Sequence, residues 1–285
     1  MTRTNTAPPR LPNPFVRKLE SFVELSEADR AMLERISADR RSVAPHTPLV
    51  HEGDKPDGLW LIQDGVTCRQ KTRVNGGRQI LALLLPGDLC DLDASLLDRM
   101  DHSIVTLSPC KVIHVPSEII ADILDNVPAV ACALRLSTLV DEATLREWLV
   151  NLGCQPGVKR IAHLFCEFFV RQQRVGRTIG TSCALPLTQA DLADATGLSN
   201  VHVNRVLQEL RGNGLIGLQD RRLTIPNLAA LSAFAEFEPG YLRIGSGAQP
   251  HPIRRITAHR LNAIAAHGLG RPVPASERTE RGIRE

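Results

Sequence analysis

No Cys-x-x-Cys pair occurs in this chain, and no cysteine is spaced against a histidine as in a zinc finger. The seven cysteines sit singly at 68, 90, 110, 132, 154, 166 and 183. An odd, scattered set argues against a disulfide framework and against a metal site, and it points to a reducing cytoplasm. Long apolar runs are also missing. The longest near the middle, Ile80 to Leu85, is far short of the roughly 20 residues of a membrane span, so no membrane partner is expected. Met1 to Phe15 is polar and Pro-rich, lacks the apolar core of a signal sequence, and reads as a flexible arm. Net charge is only +3 over 285 residues, which withholds any whole-molecule polyelectrolyte argument for nucleic acid. Nor is there a nucleophile–base–acid grouping or a phosphate-cradling glycine loop. Gly76-Gly77 and Gly212-Asn213-Gly214 are too short and sit at turns. No catalytic residue, metal or cofactor is expected, and the chain does not read as an enzyme.

What the sequence does carry is concentrated between Leu187 and Leu215. Thr188 can cap a short helix, with Asp191 as the acidic half of a capping box. Gly197 supplies the left-handed turn that ends it, and Ser199 caps a second helix. There Val203, Val206, Leu207 and Leu210 fall at i, i+3, i+4 and i+7, a buried stripe. The opposite face presents Asn200, Val201, Asn204, Arg205 and Gln208, with His202 at its edge. Two short helices around a glycine turn, the second offering amide and guanidinium groups, form a helix-turn-helix suited to base edges and phosphates. Thr188, Gln189 and Ser199, at the helix starts, join the candidate DNA contacts. Leu215 to Ile225 then reads as two short strands around a polar tip, a β-wing that places Arg221 and Arg222 for backbone phosphates.

Upstream, Val16 to Ile36 has the spacing of two short helices, the second opened by Ser26 and Asp29. From Arg41 to Pro116 short apolar runs alternate with Gly, Pro and Asp turns, and Asn75-Gly76 is a hairpin signal. This pattern predicts a closed, barrel-like β domain. Ser117 to Asn126 is a short helix interrupted at Pro128. Ala129 to Leu152 is helical again and carries more apolar surface than one small β domain needs for cover. That surplus makes it a candidate dimer seam through Leu134, Leu145, Trp148 and Leu149. Cys154-Gln155-Pro156-Gly157 marks a boundary, Val158 to Gln173 is amphipathic, and a last helix runs from Leu228 to Phe237. The domain reading is therefore an arm over 1–15, a β domain over 16–128, a long helix over 129–153, a DNA-binding domain over 154–240, and a tail over 241–285. The tail holds eight arginines against three glutamates. It reads as disordered and basic, outside the fold, with a short helix near Arg255 to His267.

A β domain with glycine corners, a long helix and then a winged helix-turn-helix resembles the Crp/Fnr superfamily of bacterial transcription regulators. The residues that carry the likeness are Gly53-Asp54, Leu59-Trp60-Leu61-Ile62, Gly65, Pro86-Gly87-Asp88 and Leu187 to Ile216, and it spans roughly Arg17 to Pro239. It implies an α+β fold: an N-terminal cyclic-nucleotide-binding-like β-roll, a long dimerisation helix and a C-terminal winged helix-turn-helix. It also implies a homodimer on a palindromic operator in double-stranded DNA, with RNA polymerase as a further partner.

The departures shape the expected chemistry. Members that bind cyclic AMP carry a Gly-Glu pair after the Pro-Gly-Asp corner and an Arg-Ser or Arg-Thr pair further on. Those positions fall on Asp91-Leu92 and His102-Ser103. A leucine cannot accept from a ribose hydroxyl, and Asp91 or Asp93 would repel a phosphate. Leu89, Cys90, Asp91, Leu92, His102 and Ser103 remain as effector-pocket candidates for an unidentified signal. The iron-sulfur branch has a cysteine cluster ahead of its β-roll, whereas the first cysteine here is Cys68. Where many members place a cytosine-reading glutamate, this chain has Val201. An alternative reading stays open, in which a ligand-binding module uses its helix-turn-helix for protein contacts.

Overall fold

The computed structural model describes residues 12–243. Most of the expected arm and tail, including the helix near Arg255 to His267, lies outside the described residues. Helices α1 (Pro14–Glu20) and α2 (Glu27–Ile36) open the fold. The Ser26 hydroxyl accepts from Asp29 N, and the Asp29 carboxylate accepts from Ser26 N, so α2 begins with a complete capping box. The expected arm does not reach Phe15. Asn13 caps α1, and Phe15 and Val16 join the core.

Seven strands follow: β1 (Arg41–Val43), β2 (Pro48–Val50), β3 (Gly58–Asp64), β4 (Thr67–Thr72), β5 (Arg78–Leu84), β6 (Ser103–Thr106) and β7 (Cys110–Pro116). All pair antiparallel, in two sheets ordered β1-β7-β3 and β2-β6-β4-β5. The β domain is thus a roll of two sheets and not the single closed barrel that strand spacing suggested. Spacing counts strands but does not say which edges bond. Gly87, at the Pro-Gly-Asp corner, has φ 95°, and a Cβ there would sit 2.6 Å from Pro14 O. This corner needs glycine because α1 crosses directly over it.

Helix α3 (Ser117–Asn126) leads into the long helix α4 (Pro128–Cys154). The break falls where the sequence placed it: Val127, held before the proline at φ −121° and ψ 79°, is outside the helical region and separates α3 from α4, and Pro128 begins the second helix. The proline occupies the first turn of α4, where its missing N–H costs nothing. Helix α5 (Gly157–Arg174), strands β8 (Thr178–Ile179) and β9 (Ser182–Ala184), helices α6 (Gln189–Thr196) and α7 (Asn200–Gly212), strands β10 (Gly217–Gln219) and β11 (Arg222–Thr224), and helix α8 (Leu228–Ala235) complete the fold. Among the described residues no helix is long and apolar enough to cross a membrane.

Buried ions fasten the β-roll to the helices. Lys18 donates to Asp88 at 2.6 Å, and Arg171 spans Asp88 at 2.8 Å and Glu167 at 2.9 Å. Burial alone would raise the Asp88 carboxyl, but Lys18 and Arg171 outweigh it and hold it at about 2. Glu167 also accepts from Trp148 Nε1 and Tyr241 OH, each at 2.9 Å. Its two carboxylate oxygens therefore tie α4, α5 and the segment after α8 together. A second clamp joins the roll to the helix-turn-helix. Arg78, at the start of β5, reaches Asp191 at 2.8 Å and Asp194 at 2.6 Å, and Gln79 donates to Asp194 O.

Two expectations are corrected here. The fold does not stop at Gly240. Tyr241 stacks near His163, and Leu242 is fully buried. Leu134 and Trp148 do not belong to a dimer seam, because both are buried within the chain itself. They lie on the α4 stripe Val130, Leu134, Ser137, Val140, Thr144, Trp148 and Asn151, whose three- and four-residue spacing faces the chain's own core.

Candidate nucleic-acid interface

The reading motif is built as its residues demand. Thr188 Oγ1 accepts from Asp191 N at 3.1 Å, and Asp191 accepts from Thr188 N at 2.9 Å, so α6 starts on a reciprocal cap. Gly197 ends α6 with φ 65°, and Leu198 N bonds back to Ala193 O at 3.1 Å. Ser199 then caps α7 by accepting from His202 N. Val203, Val206, Leu207 and Leu210 are buried as the spacing predicts.

The opposite face is open. Asn200, Val201, Asn204, Arg205 and Gln208 are exposed, as are Thr188, Gln189 and Ser199 at the two helix starts. Val201 is 65% exposed, which is unusual for a valine with an apolar interior close by, and it leaves the side chain free to meet a partner surface. Arg205 has no ion-pair partner among the described residues. His202 sits apart from the stripe. A Cβ at Gly157 would meet its Nε2 at 3.1 Å, so its ring lies beside the start of α5.

The wing is a tight hairpin. Gln219 pairs with Arg222, and Asp220 and Arg221 form the tip with φ 49° and 54°. Two successive left-handed residues make the type I′ geometry that suits twisted strands. Arg221 is exposed at this tip, while Arg222 is half-buried where β11 pairs with β9. The sequence reading missed β8 and β9, which extend the wing into a four-stranded sheet ordered β10-β11-β9-β8. Strands of two and three residues give too few alternations to register as a period, although Gly180 marks their turn.

The effector-pocket candidates divide between two places. Leu89, Asp91, Leu92 and His102 line a cavity of about 280 Å³ between the roll and α4. Cys90 lines a different cavity, and Ser103 instead accepts a hydrogen bond from Glu52 N. The first cavity contains a residue the sequence reading did not single out. Arg69, on β4, donates to Asp91 at 3.0 Å and to Asp141 of α4 at 3.2 Å. His102 lies 3.2 Å from Asp91 and 2.7 Å from Asp101. Burial works against the Asp91 charge, but Arg69 and then His102 outweigh it and hold the carboxyl below its usual range. For His102 the loss of solvent lowers the affinity for a proton, while bonds to Asp91 and Asp101 reverse this and leave the imidazole raised. Arg69 stands in β4 among Thr67, Gln70, Lys71 and Thr72, so nothing local set it apart, and only its burial shows that the guanidinium needs carboxylate partners.

Known proteins resemble both halves. Residues 159–234 match the family model of a Crp-like helix-turn-helix domain, and residues 40–127 match that of a cyclic nucleotide-binding domain. The transcriptional activator protein FnrL of Cereibacter sphaeroides is 29% identical over 199 residues, covering 68% of this chain and 79% of that protein. The nitrogen fixation regulation protein FixK of Azorhizobium caulinodans is 26% identical, covering 61% of this chain and 70% of the relative. The solved structure of FixK2 from Bradyrhizobium japonicum superposes with a TM-score of 0.61 at 21% identity, over 68% of this chain and 96% of its own, and so shares the fold.

Proposed function

The chain belongs to the Crp/Fnr superfamily, and from that premise we propose that it is a homodimeric, sequence-specific transcription regulator and not an enzyme. One observation carries the reading: α7 leaves Asn200, Val201, Asn204, Arg205 and Gln208 exposed on one stripe, free of acids that would repel phosphate. The free N–H groups at the start of α7, around Ser199 to Val201, suit a backbone phosphate. Arg205 is suited to guanine or a phosphate, and Asn204 and Gln208 to adenine. Val201 can only pack, most naturally on a thymine methyl. Arg221 at the wing tip is placed for the flanking backbone.

The dimer seam lies on the side of α4 that the fold leaves open. Leu139, Leu145, Leu149 and Val150 are exposed there, Leu149 at 72%. Pairing α4 with a second copy would cover these residues and set two α7 helices about 34 Å apart, one turn of DNA. RNA polymerase would then be met at the operator, in the cytoplasm.

The residues between the roll and α4 do not fit a cyclic nucleotide. Leu92 has no acceptor for a ribose, and the Arg69 guanidinium is already committed to Asp91 and Asp141. We therefore assign the roll to a signal of another kind.

A gel shift on genomic fragments over a range of salt tests the central claim. Sequence-specific binding with a steep salt slope, set by phosphate contacts, is expected. Absent or salt-independent binding would favour the alternative, a helix-turn-helix that serves protein contacts.

A further inference from the structure

A second cavity, of about 550 Å³, opens on the roll beside Trp60 and His114. That volume is ordinary for a small-molecule site. Its floor is apolar: Met100 and Ile104 are buried there, and the Cys90 thiol is 1% exposed. Burial pushes that thiol well above its usual range, so it stays neutral and adds no charge to the floor. One wall is aromatic, with the Trp60 and His114 rings 5.0 Å apart and tilted by 59°.

The charges around the opening are unequal in a useful way. Two of the three acids have side-chain partners, and Asp54 is held by a backbone N–H. Asp54 accepts from His51 N at 2.8 Å, Asp57 lies 3.2 Å from His114 Nε2, and Asp91 is held by Arg69 and His102. The two cations, Arg41 and Lys55, have no side-chain partner among the described residues. An apolar body would displace water from the floor and stack on Trp60, while an anionic head would complete the two cations.

We propose that this cavity binds a small aromatic carboxylate, and that the roll takes its signal here and not between the roll and α4. The proposal rests on reading the roll as a sensor. A route to α4 is present in the chain. Cys90 N donates to Trp60 O at 2.8 Å, and the next residue, Asp91, lines both cavities. Asp91 shares Arg69 with Asp141 of α4. A ligand that shifts Trp60 or Cys90 therefore acts on the ion pairs that hold the roll to the long helix.

Calorimetry on the full chain, without DNA, tests the site with 2-naphthoate, indole-3-acetate and the neutral 2-naphthamide. One saturable site per chain is expected for at least one of the carboxylates. Of the two tryptophans, Trp60 lines this cavity, and its fluorescence should be quenched on binding. The amide should bind about tenfold or more weakly than its acid, and the Arg41→Gln/Lys55→Gln protein should lose a similar factor for the acid. Both replaced residues are exposed, so the melting temperature should not change. Equal binding of acid and amide, unchanged affinity in the double variant, or no saturable isotherm with either carboxylate would overturn the proposal. Because no DNA is present, such a failure leaves the gel-shift result standing, and loss of DNA binding leaves the isotherm standing.

Discussion

On the proposed function, DNA specificity would turn on Arg205 and Val201, because one offers a charged fork and the other offers only methyl groups. Replacing Arg205 by alanine should cost about 1–3 kcal/mol of specific binding if it reads a base, with preference relaxed at one position. Selection from random DNA checks this, and the same selection on Val201→Glu should move the favoured half-site toward cytosine at its position. An unchanged site for Val201→Glu would place Val201 away from the bases. His102 and Asp91 each add a pH-dependent contribution to the stability of the roll. The raised His102 contributes stability that is complete below its ordinary pKa of 6.5 and is lost as pH rises through its higher folded value. The depressed Asp91 contributes stability that is complete above its ordinary 3.8 and is lost as pH falls through its lower folded value. The pair is therefore strongest between those limits. Thermal melts from about pH 6 to pH 8 should show the wild type losing stability relative to His102→Gln as pH rises. Parallel curves for the two proteins would mean that His102 is already neutral in the fold. Cyclic AMP should give no micromolar isotherm with the wild type, since Leu92 and the committed Arg69 offer its ribose and phosphate nothing.

At the scale of the element, α4 has a buried face and an open one, and the two need different variants. Leu149→Asp places a charge on the open side and should cost the monomer only about 0.5 kcal/mol, as surface changes do. Sedimentation should then show monomers that stay folded and no longer hold an operator. Leu134 is only 3% exposed, so Leu134→Asp would bury a charge at several kcal/mol and unfold the chain. That variant reports on stability and says nothing about the seam. A Leu149→Asp protein that sediments as a dimer would exclude this side of α4 as the interface.

At the scale of the whole molecule, the roll, the long helix and the helix-turn-helix are joined by ions and by the segment that holds Tyr241 and Leu242. Tyr241 donates to Glu167, the carboxylate that also holds Trp148 and Arg171. Arg174 bonds to Leu242 O and lies over the Phe22 ring. Truncation after Gly240 would remove Leu242 from its buried site and leave Glu167 short of a donor. It should cost about 2 kcal/mol or more, lowering the melting temperature by about 4–8 °C. Truncation after Arg243 removes none of these contacts and serves as the control in the same scan. Equal melting temperatures for the two truncations would show that Tyr241 and Leu242 are dispensable.

The helices, their caps and the exposed stripe of α7 were legible in the residue order because they depend on neighbours three and four positions apart. Thr188 with Asp191, Gly197, Ser199 and the Val203-to-Leu210 stripe are local in this sense, and so are the hairpin at Asn75-Gly76 and the wing tip. Six of the roll's seven strands were legible for the same reason, and the three-residue β1 was not. Partners far apart in the chain were not. Arg78 finds Asp191 and Asp194 more than 110 positions away, and Arg69 finds Asp141 across 72. Nothing near either arginine announces the acid it will meet. Which side of α4 faces inward was also decided only by packing. An apolar residue on a long helix has the same local pattern whether it covers its own chain or a second copy, so Leu134 and Leu149 look alike until the fold buries one and leaves the other exposed. The same holds for Tyr241 and Leu242. A composition rich in Gly, Arg and Pro begins just beyond them, and only the acid on α5 and the aromatic cluster around His163 draw these two residues into the core.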